Sequence, residues 1–259
     1  MRVRVRYQKS GKLRFISAID LGRVWERALR KGDVPIAFSE GFTPHPKVSF
    51  ADALPLGYAS TGEYAELTLA VPVVLHQVVE ALNFAFPHGI SVLDAIEVAA
   101  NAPRLAMLLR ASCWDMAYHD SDLLRRETPA SPLACQDDLL AESVDAVRAA
   151  KQLLTEHERK GLSVTVDVRP AVHHISSRGP CIRVTLHHIE PLVRPTQVHL
   201  ALRSFCPGMP DPTLITRVAQ GTPVDQGLIE ALSGQLVPPR PAPTRPESAR
   251  HASTLGQLT

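Results

Sequence analysis

The chain opens with a strict alternation that leaves little choice of local structure. In RVRVRY, residues 2–7, Arg2, Arg4 and Arg6 fall on one face of a strand and Val3, Val5 and Tyr7 on the other. After a turn permitted by Gly11, the period changes. Leu21, Val24, Trp25, Ala28 and Leu29 stand at i, i+3, i+4, i+7 and i+8, the apolar stripe of a helix. Ser17 and Asp20 have the spacing of a capping box at its start, and Gly32 suits its end. Arg23, Arg27, Arg30 and Lys31 lie off the stripe.

An extended piece at Ile36 to Phe38, a strand from Lys47 to Ala51 and a strand from Tyr64 to Ala70 follow. A helix over Val73 to Phe86 and a strand over Ile90 to Val98 complete the set. Pro72 suits that helix's first turn and Pro87 stops it. The order β-α-β-β-α-β is that of the split ferredoxin-like unit. The second half repeats it loosely. Strands are expected at 111–118, 163–168, 181–187 and 215–219, with helices over 137–159 and from Pro195. The expected class is therefore α+β, as two tandem ferredoxin-like units over residues 1–100 and 104–222. Residues 236–259, rich in Pro, Arg and Ser, read as a disordered tail.

Charge is unevenly placed in this 259-residue chain, whose net charge is only +2. The first fifty residues hold eleven Lys or Arg against four acids, whereas the remainder holds seventeen against twenty-two. Such asymmetry suits a region that faces a polyanion, and equally a solvated basic surface. No apolar run reaches the ~20 residues of a membrane helix, and the basic N-terminus lacks the apolar core of a signal peptide. A cytoplasmic protein with no membrane partner is expected. The four cysteines, Cys113, Cys135, Cys181 and Cys206, show no CxxC spacing, so no disulfide framework, metal site or cofactor is expected. His173-His174 and His187-His188 flank a predicted hairpin. One histidine from each pair could meet across it, although the spacing matches no standard metal pattern.

The segment Gly41-Phe42-Thr43-Pro44-His45-Pro46-Lys47 is unusually punctuated for a loop before a strand. Each Pro fixes its own φ and pushes the residue before it toward extended geometry, so Thr43 and His45 are both restricted. A stiff loop loses less entropy on binding. Thr43, His45 and Lys47 suit a grip on a phosphate, a base edge or a metal; the same stiffness also suits a brace for the next strand.

Residues 9–64 carry a run of short motifs: Arg14-Phe15-Ile16-Ser17, Asp20-Leu21, Arg27-Ala28-Leu29-Arg30, Gly41-Phe42, Pro44-His45-Pro46, Pro55-Leu56-Gly57 and Glu63-Tyr64. In these the chain resembles the bacterial radical SAM-linked protein family, a domain of unknown function that accompanies radical SAM enzymes. Ala18 stands where that family often has His, and Thr43 where it often has Asn. The resemblance implies a radical SAM enzyme as partner. The chain has no CxxxCxxC, so the cluster would belong to that partner.

These readings together favour an accessory protein that binds RNA or a similar polyanion through Arg2, Arg4, Arg6, Lys12, Arg14, Thr43, His45 and Lys47. Two alternatives stand beside it. One is an enzyme with His45 as acid or base near Ser17, Asp20 or Glu63. The other is a protein-interaction adaptor.

Overall fold

The computed structural model describes residues 1–99, 101–118, 132–159 and 162–240. The first half runs β1 (Arg2–Lys9), a 3-10 turn (Gly11–Phe15), α1 (Ala18–Lys31), β2 (Val48–Phe50), β3 (Ala59–Thr68), α2 (Leu75–Ala85) and β4 (Ile90–Val98). The second runs α3 (Leu105–Leu108), β5 (Ala111–Ala117), α4 (Pro132–Ala149), β6 (Leu154–Arg159), β7 (Leu162–Asp167), a 3-10 turn (Arg169–Ala171), β8 (Val172–Arg178), β9 (Cys181–His187), α5 (Pro195–Phe205), β10 (Leu214–Val224), β11 (Gly227–Glu230) and β12 (Leu236–Val237). Among the described residues no helix is long and apolar enough to cross a membrane.

Ten strands form one mixed sheet. Its backbone order is β4-β1-β3-β10-β5-β9-β8, with β2 on β3, β11 on β10 and β12 on β11. Among the described residues pairing is antiparallel on either side of the middle, and parallel only where β3 meets β10. That parallel contact is short: Ala59 opposes Thr216, and Ser60 opposes Arg217. It is enough to join the two halves, because Gly62 brings β3 very close to β10. A Cβ there would stand 2.5 Å from Ala219 Cα.

The helices close two cores over the sheet. In the first, Val3, Val5 and Tyr7 of β1 meet Leu21, Trp25, Ala28 and Leu29 of α1, together with Val78 and Leu82 of α2. Trp25 is the hub: its ring meets Tyr7 at 5.2 Å and Phe86 at 4.8 Å, edge to face in both cases. The expected cap at the helix start is present. Asp20 N donates to Ser17 Oγ at 3.1 Å, while Ser17 Oγ donates to the Asp20 carboxylate at 2.8 Å. The second core packs Leu140, Val144 and Val147 of α4 and Val198, Ala201 and Leu202 of α5 over β5 and β9.

Two sequence-based boundaries need correction. The helix expected to reach Arg159 ends at Ala149, and 154–159 is a strand paired with β7. Its buried stripe stops at Val147, Lys151 is exposed, and Asp167 Oδ1 captures the Leu153 and Arg169 amides in a turn. The strand expected at 163–168 thus belongs to a separate two-stranded sheet, and β8 takes the place beside β9. The expected tail at 236 also begins too early. Leu236 and Val237 pair with β11, and the carbonyls of Pro238 and Arg240 accept from Arg183 Nη1 at 3.2 and 3.0 Å. The rest of the expected tail, 241–259, lies outside the described residues.

Candidate functional site

The arginines of β1 face away from α1 and α2, as their alternation requires, but that face is not open. Arg4 lies opposite Glu66 in the sheet register and is 3% exposed. Its Nε donates to Glu66 Oε2 at 2.9 Å, and its Nη2 donates to the Pro103 carbonyl. Arg2 donates to the other oxygen of Glu66 at 2.6 Å and to the Ala99 carbonyl at 3.3 Å. Arg6 is half-buried. Burial raises the Glu66 pKa, but hydrogen bonds and charge from Arg2 and Arg4 outweigh it and hold the carboxyl below the usual range. The expectation of β1 as an open phosphate-binding strand is therefore corrected. The chain after β4 crosses this face, and one carboxylate neutralises two of its cations.

The remaining predicted residues separate into two groups at opposite ends of α1, a 14-residue helix and hence about 21 Å long. Lys12 is exposed and Arg14 half-buried in the turn before the helix. The Arg14 guanidinium sits 4.8 Å from the Phe15 ring centroid, and its carbonyl accepts from Gly57 N at 3.0 Å. Thr43, His45 and Lys47 are exposed beside the far end.

Their loop hangs on the end of β3 that also pairs with β2. Ala37 N donates to Thr68 O, Lys47 N to Ala37 O and Thr68 N to Lys47 O, at 2.8, 2.8 and 3.0 Å. Ser39 N donates to His45 O at 2.8 Å, and His45 N donates back to Ser39 Oγ at 3.0 Å. The loop that these bonds close carries Phe42 at full exposure and Phe38 half-exposed.

Between this loop and the C-terminal half of α1 lies a cleft of about 290 Å³. Leu29, Val34, Ile36, Phe38, Pro44 and Pro46 supply apolar lining, while Glu26, Arg30, Asp33 and His45 supply polar groups. Asp33, just past the Gly32 cap of α1, has φ 50°, a left-handed conformation that Asp tolerates better than most residues. Arg23, Arg27, Arg30 and Lys31 are exposed along the helix bordering the cleft. Arg23 is partly committed to Asp20 at 3.2 Å. The partners suggested for His45 are elsewhere. Ser17 and Asp20 cap the opposite end of α1, and Glu63 is 2% exposed under the first core.

Glu63 belongs to a buried charge cluster that sequence reading missed. Arg217 of β10 places Nη1 at 3.4 Å from Glu63 and Nη2 at 3.3 Å from Asp52, with its guanidinium 4.7 Å from the Trp114 ring centroid. Lys9 Nζ donates to Ile16 O at 3.0 Å. Burial raises the Glu63 pKa, against the pull of Arg217, and lowers that of Lys9, against the pull of Glu63. A Lys at the end of an otherwise apolar strand face was the one signal available.

The histidine pairs do meet across the hairpin: the His173 and His187 rings lie 4.7 Å apart, and those of His173 and His174 lie 4.2 Å apart. Burial, followed by charge from His173 and Arg110, lowers the pKa of His187. Among the described residues no group of three or more His, Cys, Asp or Glu is arranged to hold a metal ion.

A mixed α+β chain built on one large sheet, with an open cleft beside α1, is the class these features define. Residues 2–199 match the family model described as uncharacterized protein conserved in bacteria, DUF2344, and the chain belongs to that family. No curated protein matches the chain. Among solved structures it is similar, at 11% identity and a TM-score of 0.38, to a chain of a Cbf5-Nop10-Gar1 complex. The match covers 84% of this chain and 48% of that one, so this chain spans about half its length. It is also similar, at 11% identity and a TM-score of 0.19, to the first two RRM domains of the yeast poly(U) binding protein Pub1. That match covers 85% of this chain and 100% of that one. At such scores the likenesses are too remote to bear on function.

Proposed function

We propose that this protein is a cytoplasmic RNA-binding accessory module, built as two tandem ferredoxin-like units and serving a radical SAM enzyme. The strand orders β4-β1-β3-β2 and β10-β5-β9-β8 support the tandem reading, each unit having two helices on its sheet. The partner rests on the sequence resemblance alone.

One observation carries the RNA reading. Arg30 of α1 lines a cleft with Phe38 and His45 of the stiff loop, which also exposes Phe42 and Lys47, and Arg23 and Arg27 are exposed on the same helix. Cations that follow a backbone, with aromatics on which bases can stack, are the two parts of a single-strand binding surface. Affinity then comes from α1 and the loop together, and not from β1. The test is fluorescence anisotropy of labelled single-stranded RNA across a salt series. Micromolar binding at low salt that weakens steadily with added salt is expected. Absence of binding at low salt would refute the reading, and capture of a radical SAM enzyme without RNA would favour an adaptor instead.

A further inference from the structure

We infer that the cleft beside α1 holds one unstacked nucleobase, and that its charges select guanine. This rests on the RNA reading above and adds what the cleft itself recognises. Its volume of about 290 Å³ lies at the lower end of small-molecule sites, which suits a single ring system. Phe38 and His45 both line it, and stacking on aromatic side chains is the usual way an unpaired RNA base is held.

The polar groups decide what enters. Glu26 and Asp33 bring two carboxylates against the one guanidinium of Arg30, so a phosphate would be repelled. Phosphates belong outside, on Arg27, which the same helix exposes one turn before Arg30. The part of the ligand inside must therefore be uncharged and rich in donors, since an ionised carboxylate only accepts. Among the four bases, guanine alone carries two adjacent donors, N1–H and the 2-amino group, which one carboxylate can accept side by side. Its O6 is an acceptor that a guanidinium can serve. Uracil flanks its single N–H with two carbonyls, which would face the carboxylates. Adenine and cytosine each set a ring acceptor beside the amino donor.

The experiment uses U-tract octamers with G, A, C or U at one central position, competed against a labelled all-U octamer at low salt. The G octamer is expected to compete at least about tenfold better than all-U, the discrimination of one good base contact. Glu26→Gln and Asp33→Asn should each bring that ratio toward one. Asn at position 33 keeps the left-handed backbone, so this variant should fold normally. If all-U RNA binds but the wild-type ratio is near one, or if both variants retain the preference, the base-selecting cleft is refuted while the RNA reading survives. If no octamer binds at low salt, the RNA reading fails and the inference falls with it.

Discussion

Arg4 and Arg27 show how differently two arginines of one chain can serve it. Arg4 is buried between Glu66 and the Pro103 carbonyl, whereas Arg27 is exposed on α1, with its Nε donating to the Arg23 carbonyl at 3.2 Å. Arg27→Ala should leave the melting temperature nearly unchanged and shallow the log–log salt slope of RNA binding by about one. Arg4→Ala should destabilise the fold and leave that slope alone; a parallel salt series and thermal melt of both variants decides it. Glu66 adds a pH dependence. Its folded pKa lies below its unfolded one, so its stabilisation is present above the unfolded value and is lost as pH falls through the folded one. Glu66→Gln should cost roughly 1.5–3 kcal/mol in a denaturant melt at neutral pH, the worth of a charged hydrogen bond. The gap to wild type should close in acid.

At the level of elements, α1 was readable because its stripe, cap and stop agree with one another. Its apolar face is spent on Trp25 and its neighbours, which turns the cationic face outward beside the cleft. β3 is less ordinary. Its C-terminal part accepts β2 and carries the loop, while its first residues pair with β10. Gly62 permits that second contact, since a side chain there would press on Ala219 and on the Val218 carbonyl, 2.9 Å away. Gly62→Ala should therefore cost about 1–3 kcal/mol, the usual penalty of overpacking. A melting temperature equal to wild type would mean that the two strands separate freely.

Over the whole molecule, the sheet and its buried polar contacts tie the halves together. Tyr64 Oη donates to Glu230 at 2.5 Å, Gln220 Nε2 donates to Gly62 O at 3.0 Å, and Arg217 lies between Glu63 and Asp52. Breaking the junction would part each of these groups from its partner. The chain has two tryptophans, one in each core, so each half can be watched separately. Trp25→Phe and Trp114→Phe variants should each give one fluorescence transition that coincides with its own loss of helical circular dichroism. Transitions that separate by probe would show halves that unfold independently.

Local pattern by itself determined the elements with one clear period. The alternation of 2–7, the stripe of α1 and the helix opened by Pro195 all depend on neighbours a few residues apart. It also determined that the loop at 41–47 would be stiff, because each Pro acts on its own residue and the one before. Only the tertiary structure decided which sides of those elements water reaches. A period of two separates Arg4 from Val5 but does not say that the chain after β4 will cover the arginines. A stripe likewise leaves open that Arg30 and Asp33 will share a cleft with His45, and a lone Lys9 gives no hint of Arg217 across the junction. Those contacts join residues far apart in sequence, and their partners are chosen by packing and desolvation, which no local pattern records.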